Sequence, residues 1–153
     1  MMPFHMAIVS ELTLRVRYAE TDRMGIVHHA RFLEYLEVGR VELLRISDLC
    51  YRGLEARGIF FPVTELWVRY RRPLTFDDEL RLTTWYRDLT RTRVTFGYRL
   101  RGPDGEISVE ALTMHAQVDE AGRPAPIDEV VATIVQANLS PDDVTRSRLR
   151  QGA

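Results

Sequence analysis

One stretch of helical periodicity, set between stretches of alternation, constrains this chain more than any other feature. From Ala30 to about Asp48, Phe32, Tyr35, Leu36, Gly39, Leu43 and Ile46 recur at intervals of mostly three and four, while Arg31, Glu34, Arg40, Glu42 and Arg45 lie mostly elsewhere. The spacing predicts a helix of roughly 28 Å, long enough to cross a small domain. Gly39 in its middle costs about 1 kcal/mol relative to alanine, which is tolerable where the missing side chain lets the helix lie close to a sheet. Before the helix, Leu12, Leu14, Val16 and Tyr18 alternate with Thr13, Arg15 and Arg17, a half-buried strand over residues 10–18.

After it, Arg52-Gly53 and Arg57-Gly58 punctuate an irregular stretch with room for a short helix around Leu54. Alternation then returns: Val63, Glu65, Trp67 and Arg69 against Thr64, Leu66, Val68 and Tyr70, ended by Pro73, which cannot donate to a ladder. Three more strands are expected over residues 79–88, 91–101 and 106–118, separated by short links, of which Gly102-Pro103-Asp104-Gly105 has strong turn chemistry. Strands joined this tightly should be antiparallel neighbours. A terminal helix is expected to start near Asp128, a good capping residue, and the polar residues 140–153 read as a frayed tail.

A lone helix and an antiparallel meander have an evident joint solution, an α+β fold in which about five strands curl around the helix and bury its apolar stripe. With 153 residues and 45% hydrophobic content the chain has material for one domain, expected over residues 8–139. Apolar residues on both sides of the strands predict that a face or edge is covered by a second subunit, hence a homo-oligomer.

The 21 basic and 22 acidic residues nearly cancel, so no global field draws the chain to nucleic acid or an anionic membrane. No apolar run approaches membrane-spanning length and the first residues carry no leader pattern, which leads to the expectation of a cytoplasmic protein without membrane insertion. A single cysteine, Cys50, excludes an internal disulfide, and its place beside Leu49 predicts a buried thiol. The histidines at 5, 28, 29 and 115 show no ligand spacing, and adjacent imidazoles can point apart, so no metal is expected.

Residues 18–29 gather a carboxylate, a glycine and two imidazoles into the connection before the helix. Asp22 falls on a loop, and the amides near His28, His29 and Ala30 are the orphan donors of a helix start, able to hold an oxyanion. The plainer alternative is that Asp22 caps a turn to which Gly25 gives a left-handed bend. From the residues alone both stay open.

Tyr18, Thr21, Asp22, Gly25, Val27 and His29, followed by Ala30, Phe32, Tyr35, Glu37 and Arg40, spell Tyr-x-x-Thr-Asp-x-x-Gly-x-Val-x-His and Ala-x-Phe-x-x-Tyr-x-Glu-x-x-Arg. This pattern resembles the hotdog-fold thioesterases of the 4-hydroxybenzoyl-CoA thioesterase family, and is most similar to the branch of Tol-Pal-associated acyl-CoA thioesterases. The likeness continues at Tyr70-Arg71-Arg72-Pro73 and Asp78-Glu79-Leu80 and in the element order from about Leu12 to Val118.

The resemblance implies a hotdog fold and hydrolysis of an acyl-CoA without a cofactor, coenzyme A being part of the substrate. Asp22 takes the position of the catalytic carboxylate, as general base or as nucleophile. Gly25 lets the loop approach the substrate, and the His29 main-chain amide points at the thioester oxygen. Val27 and His28 are carried over as substrate contacts. The implied assembly is a homodimer or homotetramer with intersubunit sites. An acyl-carrier-protein thioesterase and a non-catalytic dimeric acyl-CoA binding protein are the alternatives on the same scaffold.

Arg71 and Arg72, with Arg69, suit a nucleotide phosphate or equally a solvated strand edge. Arg91 is in the same position. Phe61, with Phe60 and Pro62, lines the acyl entrance or closes the end of the core.

Overall fold

The computed structural model describes residues 6–140. Strand β1 (Val9–Arg15) leads through two short 3-10 turns, Tyr18–Glu20 and His29–Arg31, into the long helix α1 (Phe32–Ile46). A short helix α2 (Tyr51–Ala56) precedes β2 (Val63–Tyr70), β3 (Glu79–Leu89), β4 (Arg93–Arg101) and β5 (Ile107–Val118). A two-residue strand β6 (Pro124–Ala125) and helix α3 (Glu129–Ala137) follow. The sheet runs β1-β3-β4-β5-β2, antiparallel throughout, with β6 added beside β5. Most of the expected tail, residues 141–153, lies outside the described residues.

One face of this sheet wraps α1. Period-two alternation turns Leu82, Tyr98 and Leu100 inward, where they are almost wholly buried with Phe32, Leu36 and Leu43 of the helix; each such side chain contributes about 1.5 to 3 kcal/mol by leaving water. Gly39 lies where the helix and β3 come closest. A Cβ added there would stand 2.7 Å from Leu82 Cδ2 and nearer still to Thr84 Oγ1, so the expected close approach of helix and sheet is present.

Four local expectations are corrected. The first strand stops at Arg15, and Tyr18 lies in a 3-10 turn, 77% exposed, because the Glu20 carboxylate folds back onto the Arg17 amide and ends the extended run. Arg40, expected off the apolar stripe, is buried, while Ile46 of the stripe, in the last turn, is exposed. The helix is covered over a wider arc than the apolar stripe marks: residues 49–61 close its flank, with Leu49 N–H bonded to Leu44 O and Tyr51 to Arg40. Cys50 is exposed, since it stands at the extended N-cap of α2 and Leu49 takes the buried place. The pairing of β6 with Gln117 and Val118 had no periodic signal in two residues.

The short helix around Leu54 is present, and Asp128 caps α3 by accepting from the amides of Val130 and Val131 at 3.1 and 3.3 Å. Strand β2 forms one edge of the sheet, and its Val63, Leu66 and Tyr70 are each nearly half exposed.

Candidate active site

Asp22 is held in a narrow two-stranded bracket. His28 N–H donates to Glu20 O and Asp22 N–H to Ile26 O, both at 2.9 Å, with Thr21 and Val27 bridged between them. The turn at its tip closes when Gly25 N–H donates to Asp22 O at 2.9 Å, with Gly25 at φ +77°, a conformation that a side chain disfavours. Asp22 Oδ1 accepts the Met24 amide at 2.8 Å. The capping role and the left-handed bend are therefore both present, and Asp22 Oδ2 has no hydrogen bond among the described residues. Val27, buried, donates its amide to Leu74 O at 2.8 Å and ties the bracket to the segment after β2.

The bracket feeds straight into the helix start, where the supply of donors is smaller than the sequence suggests. His28 N–H is used by Glu20, Ala30 N–H by His28 Nδ1 at 3.2 Å and Arg31 N–H by His28 O at 2.9 Å. Among the described residues the His29 amide alone of residues 28–31 has no partner. Because His28 Nδ1 accepts, a neutral His28 carries its proton on Nε2. The two imidazoles stack with centroids 4.2 Å apart rather than pointing apart. From the end of β2, Tyr70 O–H donates to His29 O at 2.7 Å and fixes the first turn from its other side.

A groove of about 460 Å³ opens here, lined by Asp22, Val27, His29, Phe32, Tyr70 and Pro73, with Arg71 and Arg72 also in its wall. Five of the expected site residues, Asp22, Val27, His29, Arg71 and Arg72, thus share one groove. Gly25 and His28 support it from the loop without lining it. Arg71 Nε donates to the buried Glu110 carboxylate at 2.8 Å, and Arg72 stands 3.7 and 3.9 Å from Asp104 and Glu106. Both arginines have acidic partners at the strand end.

Phe61 and Arg91 are elsewhere in this chain. Phe61 lines a hollow with Tyr51, Phe60 and Pro62, and Arg91 lines another with Thr64 and Glu65. Both hollows sit near the start of β2, and the strand carries the chain roughly 23 Å before it reaches the Asp22 groove. No group of three or more His, Cys, Asp or Glu among the described residues could hold a metal ion; His5 lies outside them.

Residue spacing missed two buried polar groups. Glu20 is 2% exposed; burial by itself would raise its pKa, but the Arg17 amide, Tyr35 and the Arg17 guanidinium outweigh this and hold it below the usual carboxylate range. The second is a chain of hydrogen bonds through the core: Arg40 to Tyr51 O–H at 3.1 Å and Tyr98 O–H at 3.3 Å, Tyr98 to Thr113 at 2.7 Å, Thr113 to His115 Nε2 at 2.8 Å and His115 Nδ1 to Phe61 O at 2.9 Å. These side chains lie on α1, α2, β4 and β5, and no period in the residue order links them.

No helix among the described residues is long and apolar enough to cross a membrane. The chain matches the family described as the thioesterase-like superfamily over residues 16–135. It is 38% identical over 112 residues, 73% of its own length and 81% of the relative's, to YneP of Bacillus subtilis (strain 168), whose name assigns it provisionally to the acyl-CoA thioesterases. It is 30% identical over 106 residues, 69% and 79% of the two chains, to the acyl-CoA thioester hydrolase YbgC of Escherichia coli O6:H1. Its fold matches that of the DHNA-CoA thioesterase from Staphylococcus aureus with a TM-score of 0.78 over 95% of each chain, at 24% identity. The chain belongs to the thioesterase-like superfamily, as a thioester hydrolase of the hotdog fold.

Proposed function

We propose that this protein hydrolyses acyl-CoA thioesters in the groove between Asp22 and the start of α1. The observation that carries this reading is the presence in one groove of a carboxylate with a free oxygen and a helix-start amide with no internal partner. The names of the relatives support coenzyme A as the thiol part of the substrate.

The thioester carbonyl oxygen sits toward His29 N–H, where the helix dipole adds partial positive charge. Asp22 Oδ2 either takes a proton from an attacking water or attacks the carbonyl carbon itself to form an anhydride that water then opens. In both routes the tetrahedral oxyanion collapses, the carbon–sulfur bond breaks, and coenzyme A leaves as thiolate or, after protonation, as thiol. Oδ1 stays bonded to the Met24 amide, which keeps the carboxylate from rotating away.

The site is completed by a second subunit in this reading. Strand β2 is an edge with a free side and half-exposed Val63, Leu66 and Tyr70. Two copies paired antiparallel along β2 bring the Phe61 end of one against the Tyr70 end of the other, so that Phe61 and Arg91 of the second subunit approach the first subunit's groove. Paired dimers give the tetramer.

The test is free-thiol release from a panel of aromatic and aliphatic acyl-CoAs by the wild type and Asp22→Asn. The amide should fold normally and lose at least ~10²-fold in kcat. Equal rates on an efficiently hydrolysed ester would remove Asp22 from the chemistry. A phosphopantetheine-bearing carrier protein with KM far below the matching CoA ester would reassign the thiol part.

A further inference from the structure

Strand β2 ends at Tyr70, and the period of two puts the side chains of Tyr70 and Arg71 on opposite faces of the sheet. Tyr70 stands opposite Val109, a core residue of β5, and its ring meets Phe32 of α1 edge to face with centroids 5.5 Å apart. Arg71 turns the other way and bonds the next residue of β5, Glu110, at 2.8 Å. The groove touches both. Its apolar walls, Val27, Phe32 and Tyr70, therefore lie on the helix side of the sheet, and Arg71 marks the way out past the strand end. In the proposed reaction the thioester carbonyl sits between Asp22 and His29, with the apolar acyl group toward the first end and the phosphate-bearing coenzyme A toward the second.

We infer that Tyr70 sets the size of the acyl group the site accepts, as a wall of the groove held at two points. The inference rests on the proposed hydrolysis in this groove. A half-exposed side chain at a strand end ordinarily changes rotamer within nanoseconds and would swing aside for a larger substrate. Tyr70 is tethered instead: its hydroxyl donates to His29 O at 2.7 Å, and its ring rests against Phe32, which is 3% exposed and packed into the core. His29 and Phe32 are three residues apart at the helix start, so the two contacts fall on one side of it and hold the ring at its tip and along its flank. The tip bond goes to the residue whose amide receives the carbonyl oxygen, and an acyl chain that leaves the carbonyl toward the helix side meets the ring there. Val27 and Phe32, the other apolar walls, are core residues, which leaves Tyr70 as the wall whose position depends on a single hydroxyl.

The test is kcat/KM for acetyl-, butyryl-, octanoyl- and lauroyl-CoA with the wild type, Tyr70→Phe and Tyr70→Ala, read as ratios of long to short esters within each protein. A ratio cancels any loss common to all esters, such as a shift of the His29 turn or of the coenzyme A contacts. Each methylene newly admitted to an apolar pocket is worth roughly 10-fold or more in specificity, so Tyr70→Ala should raise the octanoyl-to-acetyl ratio by at least ~10-fold. Tyr70→Phe keeps the ring and removes its tether, and should raise the ratio in the same sense by about two- to tenfold, the worth of one hydrogen bond. Ratios within about twofold of the wild type in both variants, or lowered in either, would overturn the inference; equal losses for every ester would place Tyr70 against the thiol part or the catalytic turn instead. If Tyr70→Ala does not fold, the Tyr70→Phe ratio decides alone. Asp22→Asn run in parallel separates the two readings: an active amide variant defeats the proposed chemistry, whereas an inactive one beside unchanged Tyr70 ratios defeats only the wall.

Discussion

His115 gives a prediction whose size follows from the hydrogen bonds around it. A carbonyl can only accept, so the 2.9 Å contact to Phe61 O requires the proton on Nδ1. Nε2 must then accept from Thr113 O–H, Thr113 Oγ1 from Tyr98 O–H, and Tyr98 from Arg40 Nη1. Every hydrogen in the chain has one allowed direction. Adding a proton at Nε2 would set two donors against each other and turn the hydroxyls back toward the Arg40 cation. Burial first, and the Arg40 charge as well, accordingly push the His115 pKa down from 6.5 to about 4, against the weaker opposing effect of Phe61 O. Since the native pKa lies below the unfolded one, the unfolded chain binds this proton first as the solution is acidified. Stability from His115 is complete above pH 6.5 and is lost as the pH falls toward 4, by about 3 kcal/mol in all. Between pH 7 and pH 5 the loss is about 2 kcal/mol. Urea unfolding of the wild type and of His115→Gln at the two pH values isolates this share, because every other ionisable group is common to both proteins. The wild type should lose about 2 kcal/mol more than the variant. Equal losses would mean that His115 is protonated without penalty and that the direction assigned to the chain is wrong.

Gly39→Ala gains about 1 kcal/mol of helix propensity but places a methyl group inside the contact distance of Leu82 and Thr84, an overpacking that costs about 1 to 3 kcal/mol or more. Net destabilisation in a denaturant melt is expected, while Gly53→Ala in α2, where the nearest atom is Cys50 Sγ at 3.3 Å, should be neutral or stabilising; a more stable Gly39→Ala would show that helix and sheet are not in close contact. Asp128→Ala removes the cap of α3 and the 2.9 Å ion pair to Arg57 and should lower stability by about 1 kcal/mol with hydrolysis at 25 °C unchanged, as read by thermal melting and thiol release.

The long helix and the strands β2 to β5 were legible because burial on one face imposes a period that survives in the residue order. Tight links carried the antiparallel pairing of β3, β4 and β5, whereas β2 pairs with β5 without such a link, and Gly25 and Asp22 announced their turn. What was not legible depended on contacts between residues distant in sequence. Continued alternation through Tyr18 concealed the end of β1, which is set by a carboxylate reaching back to an amide. Arg40 lies off the apolar recurrence of the helix, yet two tyrosine hydroxyls, from α2 and β4, receive it inside. Phe61 and Arg91 were grouped with Asp22 by chemistry, whereas the length of β2 separates them within one chain.

The number of available amides at the helix start is the feature that shapes the site most. A helix N-terminus ordinarily presents several unpaired donors, and an oxyanion could settle among any of them. Here the bracket consumes the amide before His29, the His28 ring consumes the one after it, and the 3-10 turn consumes the next. Tyr70 holds the carbonyl of the same residue, so the peptide planes on both sides of His29 are restrained. In the proposed reaction, one donor in one direction is a more selective feature than a row of them, because a carbonyl would be polarised only where Asp22 also reaches its carbon. The same economy makes the arrangement sensitive to its supports: nothing at this helix start substitutes for the His29 amide if the bracket carrying Asp22 shifts against the helix.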